Sequence, residues 1–171
     1  MTLKDLKQKI HIPSVKELEQ QASWIQEQIE QIGIRNIQNL IQSAVDVRKN
    51  AYEPYSGYKV GAAILCKSEN IHASCNAEVV TFTETDHAER SAITKAISEG
   101  EVKISGRKFI KAIVISHSGQ SGPCGGCRQR IAQHCDNALI IDVDIDGNIQ
   151  AISSLQILFP YAFIPSHLET E

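Results

Sequence analysis

The sequence contains no apolar stretch long enough to cross a bilayer. A membrane-spanning helix needs about 20 consecutive apolar residues, and the apolar runs here, such as residues 138–141, are far shorter. The first residues, 1–7, carry charge where a secretory signal needs an apolar segment. We therefore predict a cytoplasmic protein with no membrane partner.

An excess of basic charge is also absent. The chain carries 17 Lys and Arg against 20 Asp and Glu, a formal net charge of −3. A protein that binds DNA or RNA normally presents a positive face to the phosphates. The charge balance therefore predicts that nucleic acid is not a partner.

The cysteines are few and odd in number. A disulfide framework uses cysteines in pairs and belongs to secreted proteins, so five cysteines without a signal argue against one. We expect Cys66 and Cys75 to be buried as small hydrophobic residues. Cys124 and Cys127 stand three positions apart and need another explanation.

The 171 residues suffice for one domain with a hydrophobic core. Ser14 and Glu17 have the spacing of a helix capping box, and apolar residues follow at helical intervals as far as Gly33. We predict a helical extension over residues 1–33 and a catalytic domain over residues 34–171. A second helix is expected over residues 37–47.

Strands and helices then alternate. We predict strands over residues 59–65, 70–76, 112–116, 139–143 and 148–152, and helices over residues 88–97, 128–133 and 154–158. Asp146-Gly147 is a hairpin turn signal between the last two strands. This order predicts an α/β fold in which a central sheet carries helices on its faces.

Two short motifs carry metal-binding chemistry. His87 precedes one predicted helix, and Cys124 and Cys127 open another after Pro123. Imidazole nitrogen and thiolate sulfur bind zinc well, and three protein ligands leave a fourth position open for chemistry. The positive end of a helix also favours thiolates. We predict one Zn²⁺ held by His87, Cys124 and Cys127.

Glu89 lies two residues after His87 and is predicted to be the catalytic acid–base group. Zinc makes hydroxide available near neutral pH, and a neighbouring carboxylate can accept a proton and return it to the substrate. The alternative is a purely structural zinc site, which needs a fourth protein ligand. His72, His117, Cys135 or Glu89 would supply it, but none stands in a second paired motif, so the catalytic site is favoured.

From residue 44 to residue 168 the chain resembles the cytidine deaminase family. H-x-E combined with P-C-x-x-C is a signature of zinc-dependent base deaminases. The resemblance extends over residues 51–63, 75–78, 87–92, 123–129 and 158–163.

The resemblance implies a three-layer α/β/α sandwich around a mixed five-stranded sheet, with the N-terminal helix as an addition. It implies hydrolytic deamination of cytidine, deoxycytidine or both, giving uridine or deoxyuridine and ammonia in pyrimidine salvage. It also implies a homo-oligomer. A tetramer is favoured because the core is short, and a dimer is the alternative because the ligand His87 is more usual in the dimeric type.

The resemblance also assigns substrate contacts. Asn76 and Glu78 are expected to bind the ribose hydroxyls, because an amide and a carboxylate together donate and accept. Tyr58 stands where the family often has Phe beside the base. The Ala88 N–H is expected to bind the pyrimidine edge together with Glu89. The Gly122 carbonyl is expected to meet the departing ammonia, and Phe163 to reach the active site of a neighbouring subunit.

Arg90 combines two patterns of the family. Arginine at this position usually accompanies three cysteine ligands, whereas a histidine ligand is more often followed by glutamine. Two roles stay open for Arg90. It either donates to the zinc thiolates, which would make the zinc a stronger Lewis acid, or forms an ion pair at the surface or at a subunit interface.

Some residues depart from the family pattern and leave rival functions open. Val79 stands where Asn is usual, Ile164 stands where Gly is common, and residues 79–86 differ from the family's usual sequence. One rival is a deaminase of a modified cytosine nucleoside such as blasticidin S. Others are an enzyme acting on free bases or tRNA, and a non-catalytic, zinc-stabilised binding protein.

Overall fold

The computed structural model describes residues 14–119, 122–164 and 167. The prediction made from residues 1–7 lies outside the described residues. The same is true of the first residues of the predicted range 1–33 and of the last residues of the predicted ranges 34–171 and 44–168. The helices are α1 (Val15–Ile32), α2 (Ile34–Arg48), α3 (Ala88–Ser98), α4 (Glu101–Ser105), α5 (Gly125–Gln133) and α6 (Leu155–Leu158). The strands are β1 (Gly61–Cys66), β2 (Ile71–Cys75), β3 (Ile110–Ser116), β4 (Leu139–Val143) and β5 (Ile149–Ser154).

The five strands form one mixed sheet in the order β2-β1-β3-β4-β5. Only β3 and β4 are parallel to each other; the other neighbouring strands are antiparallel. Ala112 pairs with Leu139 and Ser116 with Val143 in the parallel register. Because both parallel strands end at the same edge, the segments that follow them, which include His117 and Gly122, are brought together there.

Helices cover both faces of this sheet. Alternate residues of a strand point to opposite faces, so Val114 and Ile141 pack with helices α1 and α2. Ile113 and Ile140 pack with helices α3 and α5 on the other face. The predicted α/β/α sandwich around a mixed five-stranded sheet, with an extra N-terminal helix, is therefore confirmed.

Helix α1 begins as its sequence predicts. The Ser14 hydroxyl accepts a hydrogen bond from the Glu17 N–H, and the Ser14 N–H donates to the Glu17 carboxylate. The helix ends at Gly33, whose φ of 81° favours glycine. Gln21 on its inner side accepts a hydrogen bond of 2.7 Å from the Ser154 hydroxyl, which ties the helix to β5.

Gly61, the first residue of β1, allows helix α2 to approach the sheet closely. A Cβ at this position would lie 2.1 Å from the carbonyl oxygen of Ala44. Any other residue would push the helix away from the strand.

No helix among the described residues is long and apolar enough to cross a membrane.

Two details differ from the sequence-based expectations. Cys66 is buried as predicted, but Cys75 is only half-buried because it ends the outermost strand, β2. The expectation that Cys75 is buried is therefore wrong. Helix α4 was not expected, because its five residues are too few to show a helical periodicity.

Candidate active site

The three predicted zinc ligands meet at the ends of two helices. His87 is the residue that precedes helix α3, and Cys124 the one that precedes helix α5. His87 Nδ1 lies 3.6 Å from Cys124 Sγ and 3.5 Å from Cys127 Sγ. The fold therefore brings together residues that stand 37 and 40 positions apart in the chain.

The spacing of these atoms fits zinc. Bonds of about 2.0–2.1 Å to nitrogen and about 2.3 Å to sulfur, at a tetrahedral angle, place the two ligand atoms about 3.5–3.6 Å apart. The observed distances of 3.6 and 3.5 Å match this separation. One imidazole and two thiols are also a donor set that zinc prefers.

The electrostatics of the site disfavour thiolates unless a cation is bound. Burial raises the pKa of the Cys127 thiol, and the nearby charges of Glu89 and Cys124 raise it further. Two thiolates beside a carboxylate would repel one another if no positive charge lay between them. Zinc removes this cost because it deprotonates a coordinating thiol outright.

Glu89 lies in the first turn of helix α3, two residues after the predicted ligand His87. Its side chain is buried, and it lines a cavity of about 260 Å³ that also contains His87 and Cys124. The Glu89 carboxylate and two of the predicted metal-binding residues thus share one small cavity. Such a cavity fits a small molecule rather than a polymer.

The same cavity contains most of the substrate contacts predicted from the sequence. The predicted ribose ligands, Asn76 and Glu78, line it. Near the metal ligands lie Ala88 and Gly122, and Tyr58 is also part of the wall. These residues come from four separate parts of the chain.

Glu78 is held as a carboxylate beneath the turn at residues 53–57. Its oxygens accept hydrogen bonds from the Tyr55 N–H, at 2.9 Å, and from the N–H and hydroxyl of Ser56. The Ser56 hydroxyl is the main reason why the pKa of Glu78 lies below its ordinary value, since its hydrogen bond favours the ionised form. Ser56 also lines the cavity and was not singled out in the sequence.

Asn76 holds a neighbouring part of the cavity wall in place. Its side-chain oxygen accepts a hydrogen bond of 2.8 Å from the Val60 N–H, and its amide nitrogen donates one of 2.9 Å to the Tyr58 carbonyl. These bonds orient the side chain and hold Tyr58 in the wall. Each side-chain atom keeps capacity for one further hydrogen bond.

Phe163 and Arg90 lie apart from these contacts. Phe163 is exposed and is not part of the cavity wall, although its carbonyl accepts a hydrogen bond of 2.6 Å from Gln129. Arg90 is half-buried, and within the part of the chain that the structure describes its guanidinium forms no hydrogen bond or ion pair. Its two predicted roles remain predictions.

Arg128 was not predicted as a site residue, although it follows Cys127 directly. It donates hydrogen bonds to the carbonyls of Pro123, at 2.6 Å, and Leu158, at 2.8 Å. The first bond holds the backbone just before Cys124 in place. The second ties that segment to helix α6.

A second group of potential metal ligands is a structural network. Cys66, His72 and Glu101 place their ligand atoms within 4.8 Å of one another. However, Glu101 already accepts hydrogen bonds from Ser68, at 2.8 Å, and Asn70, at 2.7 Å, and lies 3.1 Å from His72 Nε2. The carboxylate is therefore satisfied by the protein itself.

Comparisons with known proteins agree with this site. Residues 34–142 match the family model of the cytidine and deoxycytidylate deaminase zinc-binding region. The chain belongs to this family of zinc-binding deaminases.

Individual relatives cover most of the chain. It is 35% identical over 130 residues to the cytidine deaminase of Sporosarcina psychrophila, which covers 75% of this chain and 91% of the relative. It is 37% identical over 128 residues to that of Halalkalibacterium halodurans, covering 74% and 92%. The crystal structure of cytidine deaminase from Burkholderia pseudomallei superimposes with a TM-score of 0.64 at 28% identity, covering 74% of this chain and 98% of that one.

Proposed function

We propose that the protein is a zinc-dependent hydrolase that converts cytidine, deoxycytidine or both to uridine or deoxyuridine and ammonia, a reaction of pyrimidine salvage. One observation carries this proposal. Glu89 and two members of the predicted ligand set, His87 and Cys124, line the same cavity as Glu78. Cys127, the third member, lies buried beside them. The names of the relatives support it.

Glu89 is the proton carrier of this proposal. A zinc ion held by His87, Cys124 and Cys127 supplies Lewis-acid chemistry when it is bound. Glu89 is buried beside these ligands and lines the cavity. It takes one proton from the attacking water and delivers it to the ring nitrogen. It then passes the second proton of that water, now on the new hydroxyl group, to the amine, which leaves as ammonia while the hydroxyl becomes the carbonyl.

Backbone groups near the metal ligands orient the base. Ala88 is the first residue of helix α3, and an N–H at this position has no acceptor within its own helix. It is free to donate to the pyrimidine edge. The Gly122 carbonyl is the proposed acceptor for the departing ammonia.

The ribose binds where Asn76 and Glu78 line the cavity. Asn76 and Glu78 are fixed by the backbone of residues 55–60 and face the cavity. Ser56 adds a hydroxyl to the same wall. Because these side chains are already oriented, little entropy is lost when they bind sugar hydroxyls.

We further propose that the protein forms a homo-oligomer, with a tetramer favoured over a dimer. Phe163 is exposed on the single chain, which supports its predicted role of reaching a neighbouring subunit's site. The start of the family match at residue 34 supports the division into an N-terminal extension and a catalytic domain. The proposed location is the cytoplasm.

The experiment is a substrate panel followed by ultraviolet absorbance. It comprises cytidine, deoxycytidine, cytosine, adenosine and blasticidin S, tested with zinc-loaded protein. We expect turnover of at least one of the first two and little or none of cytosine or adenosine. A protein that binds zinc but turns over neither cytidine nor deoxycytidine would contradict the proposal.

A further inference from the structure

The Ser56 hydroxyl connects two parts of the cavity wall. Its oxygen accepts a hydrogen bond of 3.0 Å from the Tyr58 N–H, and its proton is donated to Glu78 Oε1. A hydroxyl group has one proton to donate. Because the Tyr58 N–H is itself a donor, that proton stays directed at the carboxylate. Ser56, Tyr58 and Glu78 all line the cavity.

The hydrogen bonds of Glu78 leave one acceptor position for a ligand. An ionised carboxylate offers about four such positions. The N–H groups of Tyr55 and Ser56 occupy two of them on Oε2, at 2.9 and 3.1 Å, and the Ser56 hydroxyl occupies a third on Oε1. Within the described chain, the remaining position therefore lies on Oε1, the oxygen that the Ser56 hydroxyl holds.

The backbone bonds alone do not fix this oxygen. Both N–H groups donate to Oε2, and bonds that end on one oxygen leave the carboxylate free to turn about it. The Ser56 hydroxyl fixes the second oxygen and hence the plane of the carboxylate. It is also the main reason why the pKa of Glu78 lies below its ordinary value. A group that is oriented before its ligand arrives loses little entropy on binding.

The same hydroxyl holds the residue expected beside the base. The Tyr58 N–H donates to Ser56, and the Tyr58 carbonyl accepts a hydrogen bond of 2.9 Å from the Asn76 amide. The backbone of Tyr58 is therefore fixed on both sides by side chains that line the cavity. One hydroxyl thus links the orientation of Glu78 to the position of Tyr58.

We propose that Ser56 is a positioning residue whose hydroxyl directs Glu78 Oε1 toward a sugar hydroxyl and thereby sets how strongly the site favours nucleosides that carry sugar hydroxyls. This inference rests on the proposed deamination of cytidine or deoxycytidine. Ser56 acts through Glu78, so its effect depends on the carboxylate being present.

The test compares cytidine with 2′,3′-dideoxycytidine, whose sugar lacks both ring hydroxyls, in zinc-loaded protein. The readout is the ratio of kcat/KM for cytidine to kcat/KM for 2′,3′-dideoxycytidine, with the products separated by chromatography. Both compounds use the same metal and the same Glu89, so effects on zinc content or on the folded fraction cancel in this ratio.

Four variants and a control are compared with the wild type. The variants are Ser56→Ala, Ser56→Thr, Glu78→Gln and the Ser56→Ala, Glu78→Gln double variant. The control is Ser23→Ala, which removes an exposed hydroxyl that donates to the Glu19 carbonyl in helix α1, at 3.0 Å.

Ser56→Ala should lower the ratio about 3- to 10-fold, the loss expected for one hydrogen bond. Ser56→Thr keeps the hydroxyl, so its ratio should stay within about twofold of the wild-type ratio, as should that of Ser23→Ala. In the Glu78→Gln background, Ser56→Ala should change the ratio by less than about twofold, because the effects of two residues that act as one unit are not additive.

An unchanged ratio in Ser56→Ala would overturn the inference, and so would a loss in Ser56→Thr as large as that in Ser56→Ala. An equal loss in the wild-type and Glu78→Gln backgrounds would also overturn it, because Ser56 would then act independently of Glu78. In each of these cases the wild type still deaminates cytidine, so the proposed function stands. Absence of cytidine and deoxycytidine turnover in the zinc-loaded wild type would instead overturn both.

Discussion

The Nε atom of Arg128 donates a hydrogen bond of 2.6 Å to the carbonyl oxygen of Pro123, the residue before the proposed zinc ligand Cys124. The same side chain donates to the Leu158 carbonyl at 2.8 Å. Arg128 thereby joins the metal-binding segment to helix α6. A planar guanidinium suits this task because it donates in fixed directions to two acceptors.

Replacing Arg128 by Met should therefore loosen the metal site. Groups that orient metal ligands typically contribute about 10- to 100-fold to metal affinity, so we expect zinc to be lost to a chelator about tenfold faster or more. A colorimetric chelator measures the rate. Arg130→Met, on an exposed position of the same helix, serves as the control and should release zinc at the wild-type rate.

Metal analysis of the purified protein should give roughly one zinc per chain, as a site with three protein ligands requires. The Cys124→Ala, Cys127→Ala double variant removes both thiolates and should lose the zinc. Cys66→Ala, which removes a buried cysteine outside the site, should keep it. Full zinc occupancy in the double variant would show that the metal is bound elsewhere.

Glu89→Gln should keep zinc and the fold but lose nearly all turnover. The amide occupies the same space, yet it cannot carry a proton between water and the base. Acid–base groups typically contribute about 10²–10⁴-fold, and Glu89 serves several steps, so we expect a loss at the upper end or beyond. Steady-state cytidine turnover and zinc content are measured together, and activity within tenfold of wild type would contradict the assigned role.

The variants Asn76→Ala and Glu78→Ala should lower kcat/KM for nucleosides far more than kcat/KM for free cytosine. A site built to bind a hydroxyl group discriminates strongly against a substrate that lacks it. Since Glu78 also accepts hydrogen bonds from the Tyr55 and Ser56 backbone, its removal should lower the melting temperature as well. The measurement is the ratio of kcat/KM for cytidine to that for cytosine, and an unchanged ratio in both variants would refute the ribose assignment.

Glu101 should make the stability of the protein sensitive to acid. Burial alone would raise the pKa of its carboxyl, but hydrogen bonds from Asn70, His72 and Ser68 outweigh burial and hold the pKa below its ordinary value of 4.5. The ionised form therefore stabilises the folded state. This contribution is complete above the ordinary pKa and is lost as the pH falls through the lower, folded-state pKa.

We accordingly expect Glu101→Gln to cost about 1–3 kcal/mol of unfolding free energy at neutral pH, because donors are left imperfectly paired. The difference from wild type should shrink between about pH 5 and pH 3. Urea unfolding at several pH values measures it, with Glu30→Gln on the exposed side of helix α1 as the control. A difference that stays constant with pH would show that the charge of Glu101 is not responsible.

The elements themselves were largely predictable from the sequence. The capping box at Ser14, the stop at Gly33 and the strand over Leu139–Val143 agree with the structure, because local periodicity and cap chemistry determine them. Helix α4 was missed because five residues do not reveal a period. The half-buried Cys75 was mispredicted because strand composition does not tell which strand lies at the edge.

The sequence by itself determined the prediction of the zinc ligands and of Glu89, because their residue types and spacings form local motifs at the starts of two helices. Only the tertiary structure decided that Arg128 holds Pro123, that Glu101 is paired with His72, and that His117 faces Asp142. Each of these pairs depends on which strands and helices lie side by side and in what register. Residues 25 positions apart, such as His117 and Asp142, carry no local pattern that reveals their proximity. Their meeting follows from the parallel pairing of β3 with β4, which long-range packing fixes.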